Sequence, residues 1–151
     1  MNHPSPTTIW LATSILLCTT VLGAVAEEPH VALVKNTTGD VTVVRNNDPL
    51  PAHSGMPLFE NDTLISGPAA TAELVFKDGT LLSVGPASDI VIRNYDFEPR
   101  QNRFAFALYM SKGTALYSSG KIGKLAPDAV SIATPRATVG VRGTRFIISA
   151  E

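Results

Sequence analysis

After residue 26, no stretch sustains apolar residues at the i, i+3, i+4 spacing of a helix. Apolar and polar residues instead alternate over short runs, interrupted at intervals of about 8 to 12 residues by Gly, Pro, Asn or Asp. Such a chain cannot build a helical core. It predicts a single all-β domain of about nine or ten short strands, folded as a sandwich or roll. A β-solenoid meets the same spacing and stands as the structural alternative.

The sharpest local signal is Ala72, Leu74 and Phe76 alternating with Glu73, Val75 and Lys77, then Asp78-Gly79, then Leu82 and Val84. Asp-Gly between alternating runs predicts a tight hairpin with both turn positions at positive φ. His30–Lys35 and Asp40–Arg45, separated by Asn36-Thr37-Thr38-Gly39, read as another hairpin. Asn46–Met56 reads as a loop, and Leu58–Ser66 as a strand broken by a turn at Glu60-Asn61-Asp62. Asn94–Arg103 is a polar excursion, Phe104 to Met110 a core-facing strand, and Lys112-Gly113 a turn that sends Thr114–Ser118 back. Ser119–Pro127 reads as a second loop, and Val130 and Ile132 lead into the closing segment.

That segment, Thr134–Ser149, carries a fault in its alternation. Val139 and Val141 share a parity with Gly143, whereas Phe146 and Ile148 share one with Arg142 and Thr144. A glycine at such a change marks a bulge or a close backbone approach, so the segment reads as one bulged strand. Arg136, Arg142 and Arg145 are the basic residues here, and the functional reading makes Arg142, Gly143 and Arg145 the edge that accepts a partner. The plainer reading makes the arginines surface charges paired with strand acids such as Glu73.

All 12 Lys/Arg and all 13 Asp/Glu follow residue 26. Before them, Ile9–Val25 is mostly apolar and ends in Ala24-Val25-Ala26, small residues of the kind a signal peptidase accepts. Residues 1–26 therefore read as a signal peptide cut between Ala26 and Glu27, leaving 27–151 as the domain. An uncleaved anchor is the competing reading, since about 17 apolar residues is the lower limit for a span. Cys18, the single cysteine, lies inside the leader after Leu17, so 27–151 can hold no disulfide and must rest on its core.

A net charge of −1 gives no basic excess to hold nucleic acid. His30 and His53 stand apart, without the ligand spacing a metal needs, and Asp78 offers one carboxylate where calcium takes about 6 to 8 oxygens. No Gly-x-Ser-x-Gly elbow occurs, and Gly140-Val141-Arg142-Gly143 lacks the end and the helix of a phosphate loop. The reading is a non-enzyme without a cofactor.

Four stretches in order carry a family pattern: LFENDTLISG, TAELVFKDGTLLSVGPASDIVI, ALYMSKGTALYS and VSIATPRATVGVRGTRFII. Leu58–Gly67, Asp78-Gly79-Thr80, Lys112-Gly113 and Arg142-Gly143-Thr144-Arg145-Phe146 resemble the FecR domain, a periplasmic sensor module named after the iron-dicitrate regulator. Regulators of that family carry a cytoplasmic segment that controls a sigma factor, one transmembrane helix, and this domain in the periplasm facing an outer-membrane receptor. Only eight residues precede the apolar run here. The resemblance therefore implies the fold and a protein-binding role, as a stand-alone exported module, and not sigma-factor control. It implies a periplasmic or secreted location after cleavage, no stable membrane insertion, and an envelope protein as partner. A ligand- or glycan-binding module, or a structural module of a larger surface assembly, is the alternative function.

Overall fold

The computed structural model of the protein describes Met1, Pro29–Gly140 and Thr144–Glu151. In chain order the strands are β1 (Ala32–Thr38), β2 (Val41–Arg45), β3 (Asp48–Pro51), β4 (Pro57–Leu58), β5 (Thr63–Ser66) and β6 (Thr71–Phe76). They continue as β7 (Leu81–Val84), β8 (Asp89–Glu98), β9 (Arg103–Ser118), β10 (Val130–Ala133), β11 (Thr138–Gly140) and β12 (Arg145–Ala150), with a one-turn helix α1 (Lys121–Leu125) after β9. All-β is the outcome. No helix among the described residues is long and apolar enough to cross a membrane.

The strands form one curled sheet of two halves that share β9. The first half runs β4-β1-β6-β7-β9-β12, and the second β3-β2-β5-β8-β9-β10-β11. Every pairing is antiparallel except β9 with β10. A solenoid would stack parallel neighbours, so the sequence-level choice resolves to the roll. Leu74, Phe76 and Leu82 from the first half meet Val43, Leu64 and Ile90 from the second in one continuous core. Phe106 joins the two, with Phe76 edge-on at 4.8 Å and Tyr117 at 5.6 Å.

β9 can serve both halves because it bends at Gly113. Phe106, Leu108 and Met110 are buried before the bend, and Ala115 and Tyr117 after it, so the inward parity changes from even to odd. Gly113 has φ +98°, and a Cβ there would overlap Oγ and Cα of Ser88. Ser88 uses the space by accepting from Thr114 N at 3.0 Å. Lys112-Gly113 is thus a bend within one 16-residue strand and not a chain reversal, which corrects the turn expected from sequence.

Other expectations also change. β1 and β2 do not pair as a hairpin: β1 lies between β4 and β6, and β2 between β3 and β5, because the chain changes halves at Gly39-Asp40. Asn46–Met56 is not all loop. Asn46 and Asn47, at φ 50° and 69°, make a two-residue turn, and β3 pairs back on β2 as an edge strand that tolerates Pro49 and Pro51. Asn94–Glu98 extends β8, since the register shift between Ile92 and Asn94 lets Tyr95 point inward. The Asp78-Gly79 hairpin forms, with a different turn. Gly79 alone is at positive φ, Gly79 N donates to Phe76 O at 2.9 Å, and Phe76 N donates to Thr80 O at 2.9 Å. This is the three-residue loop with a glycine bulge.

Thermal unfolding separates the two glycines. Gly113→Ala should cost about 3 kcal/mol or more through strain and overlap. Gly79→Ala, at φ +84° with nothing within 4 Å of its Cβ, should cost about 1 kcal/mol. Equal costs would show that close packing on Ser88 does not fix the bend.

Candidate functional site

The closing segment is two strands. β11 pairs with β10 in the second half, whereas β12 pairs with β9 in the first, so the parity fault marks a change of partner and not a bulge in one strand. Arg142 and Gly143 lie outside the described residues, as do Ala26 and Glu27. Arg145 opens β12 and is exposed. It makes no ion pair among the described residues; Glu73 is held by Lys35 at 3.1 Å. The pairing of Arg145 with Glu73 is therefore corrected, because β1 and not β12 is the neighbour of β6; that of Arg142 lies outside the described residues.

β12 is an edge. One side is paired to β9 from Arg145↔Ser118 to Ala150↔Gly113, and no strand among the described residues pairs the other. Its inward residues are Phe146, Ile148 and Ala150, with Phe146 packed on Tyr117 at 4.9 Å. Its outward residues are Arg145, Ile147 and Ser149, and Ile147 is 68 % exposed. Cross-strand register places Glu73, Ser83, Leu116 and Ile147 in one outward row. A groove of about 530 Å³ runs along it, and a hollow of about 540 Å³ continues past Leu116 and Ile147 to Arg145 and Phe146. Sequence reasoning singled out the arginines and missed Ile147 and Leu116. The even-odd pattern of β12 was the available signal.

Asp78, Thr80 and Ser66, from other stretches of the pattern, sit elsewhere and are buried. The Asp78 side chain, 1 % exposed, accepts from Thr80 Oγ1 at 2.7 Å and Ile122 N at 3.1 Å through Oδ2. Oδ1 accepts from Tyr95 Oη at 3.1 Å and Thr80 N at 3.2 Å. Lys121 N donates to Asp78 O at 2.9 Å, and Gly120 N to Thr80 Oγ1 at 3.1 Å. The first amides of α1, unpaired within a helix, are thus satisfied by the β6–β7 turn. Asp78-Gly79-Thr80 is a turn, as expected, and also the cap of a helix more than 40 residues later. Ser66 Oγ donates to Gly85 O at 2.7 Å and accepts from Ser88 N at 2.9 Å, tying β5 to the chain before β8.

A third polar contact lies under the β2–β3 turn. Arg45 donates to both carboxylate oxygens of Asp62, at 2.9 and 2.7 Å, and its guanidinium stands 4.4 Å over the Phe59 ring. The Asp62 partner raises the Arg45 pKa. His53 is exposed, its Nδ1 3.1 Å from Ser54 O, and among the described residues no three His, Cys, Asp or Glu side chains converge.

The chain is thus a two-halved roll held by inward polar motifs, with an open closing strand. The family model for FecR protein matches residues 62–151, and the chain belongs to the FecR family. β1 to β4 precede the matched residues yet lie within both halves of the sheet. No curated protein and no solved structure matches the chain.

Two measurements follow from the buried cluster. Asp78→Ala leaves the α1 amides and Thr80 unpaired and should cost about 3 kcal/mol, read as a lower urea midpoint at unchanged slope; a cost below about 1 kcal/mol would remove Asp78 from that role. Burial, with Asp78 beside it, pushes the Tyr95 hydroxyl above its ordinary value, and burial does the same to Tyr117. Their stabilising share is whole below about pH 10, where both hydroxyls stay protonated folded or unfolded. Above that pH the unfolded chain ionises first, and stability should fall by about 1.4 kcal/mol per pH unit for each tyrosine. Tyr95→Phe should remove one share of that slope, and an unchanged slope would refute the assignment.

Proposed function

We propose that the chain is an exported, non-enzymatic module of the bacterial cell envelope that acts in signalling by binding protein along the open edge of β12. Arg145 opens that edge, Arg142 and Gly143 precede it in sequence, and Ile147 supplies its apolar contact. The observation that carries the proposal is a strand that, among the described residues, is paired on one side only, with an exposed isoleucine on it and an arginine that makes no ion pair among them. Unpaired edge amides and carbonyls give a partner strand its affinity, and the alternating side chains give it selectivity. Natural edges are usually covered or blunted by charge, and one arginine beside an exposed isoleucine blunts this one little. Membership of a signalling family supports the same reading.

The groove beside the edge, with Thr37, Glu73 and Ser83 in its lining, favours a second reading as a glycan- or ligand-binding module. Capture separates the two. The protein recovered from the envelope, with Glu27 as its first residue by mass spectrometry, is crosslinked to envelope fractions beside an Arg142→Glu/Arg145→Glu variant of the same circular dichroism. The expected result is a partner protein captured by the native chain and reduced at least about tenfold with the variant, the scale of a lost interface charge pair. Unchanged capture would return the arginines to surface charges. A first residue other than Glu27, in the membrane fraction, would establish the anchor instead.

A further inference from the structure

We infer that β12 pairs with β12 of a second copy of this chain, antiparallel and centred on Ile148, joining the two β12 edges into one continuous sheet. The inference uses the edge of the proposed partner site but does not depend on that reading.

The backbone sets which residues can meet a new strand. Thr144 O accepts from Ser119 N at 2.8 Å, so Thr144 points its backbone groups at β9. In an antiparallel ladder those groups alternate, which directs Phe146, Ile148 and Ala150 to β9 as well. Arg145, Ile147, Ser149 and Glu151 then present their N–H and C=O to the open side.

A two-fold axis through Ile148 matches these residues in pairs. Ile147 meets Ser149 of the second copy and Arg145 meets Glu151, each exchanging backbone hydrogen bonds, while Ile148 faces its own copy across a non-hydrogen-bonded pair. Parity is kept on both faces, because each outward residue meets an outward one. The inward match sets Phe146 against Ala150, large against small. The outward match sets Arg145 against Glu151, and both are exposed with no ion pair among the described residues. Arg136 and Glu151 line one cavity of about 180 Å³ without forming an ion pair.

An axis through Ile147 also satisfies the backbone, but it sets Arg145 against Ser149 and leaves the charge unmatched. A self-complementary interface with a two-fold axis is the commonest form of homodimer. Self-pairing would also cover the edge from other strands, so a partner strand and a second copy compete for it.

Sedimentation equilibrium of the purified protein tests this directly. The native chain is expected to show a monomer–dimer equilibrium. Arg145→Glu and Glu151→Arg should each weaken the dimer about tenfold, since each places like charges opposite at two symmetry-related positions. Arg145→Glu/Glu151→Arg together should restore it to within about threefold of the native value, because the pairs re-form with reversed sign. A monomer at every concentration overturns the inference, as does a dimer that the single variants leave intact or the double variant fails to restore. Capture of an envelope protein is scored separately, by crosslinking with the protein held below its dimerisation range, so that failure of self-pairing and failure of the partner reading are told apart.

Discussion

The buried carboxylate of Asp78 is the contact on which the rest of the roll depends. It gathers the β6–β7 turn, Tyr95 of β8 and the amides of α1, and the Asp78 backbone and Thr80 hydroxyl add further bonds to the same segments. A buried charge is tolerated only where its lone pairs are filled, and here both oxygens accept two bonds each. The arrangement works because α1 follows β9 directly and brings unpaired amides to the place where the turn has a carboxylate to offer. The aromatic cluster of Phe76, Tyr95, Phe106 and Tyr117 then packs beneath it.

Two other polar contacts repeat this logic at different places in the roll. Ser66, Gly85 and Ser88 close the region where β9 bends, and the absence of a side chain at Gly113 is what lets Ser88 reach Thr114 N. Arg45 and Asp62 brace the turn between β4 and β5 against the end of β2. Asp62, Ser66, Asp78 and Thr80, polar residues within the stretches that carry the family resemblance, are thus occupied internally. They explain why the pattern marks a fold.

Function on such a molecule falls to what the locks do not use. That remainder is the outer face of the first half of the sheet and its open strand, where Leu116 and Ile147 lie on the surface and Arg145 makes no ion pair among the described residues. A protein-binding role through strand pairing and self-pairing of β12 rest on the same physical fact, an unpaired ladder. The two would act against each other, since one edge holds one strand at a time.

The sequence by itself determined the class of fold, because period-two alternation punctuated by turn residues is a local property that no packing has to reveal. The Asp78-Gly79 hairpin and the turn at Glu60-Asn61-Asp62 were legible for the same reason. The parity change at Arg142-Gly143-Thr144 and the interruption at Lys112-Gly113 were legible too, but not their meaning. Only the tertiary structure decided that the first is a change of partner and the second a bend within one strand, since alternation states which face a residue takes and not which strand lies beside it. That also explains β1 and β2, adjacent in sequence and in different halves of the sheet. The roles of Asp78 and Ile147 came from the same source: partners more than 40 residues away filled one, and an edge left unpaired exposed the other.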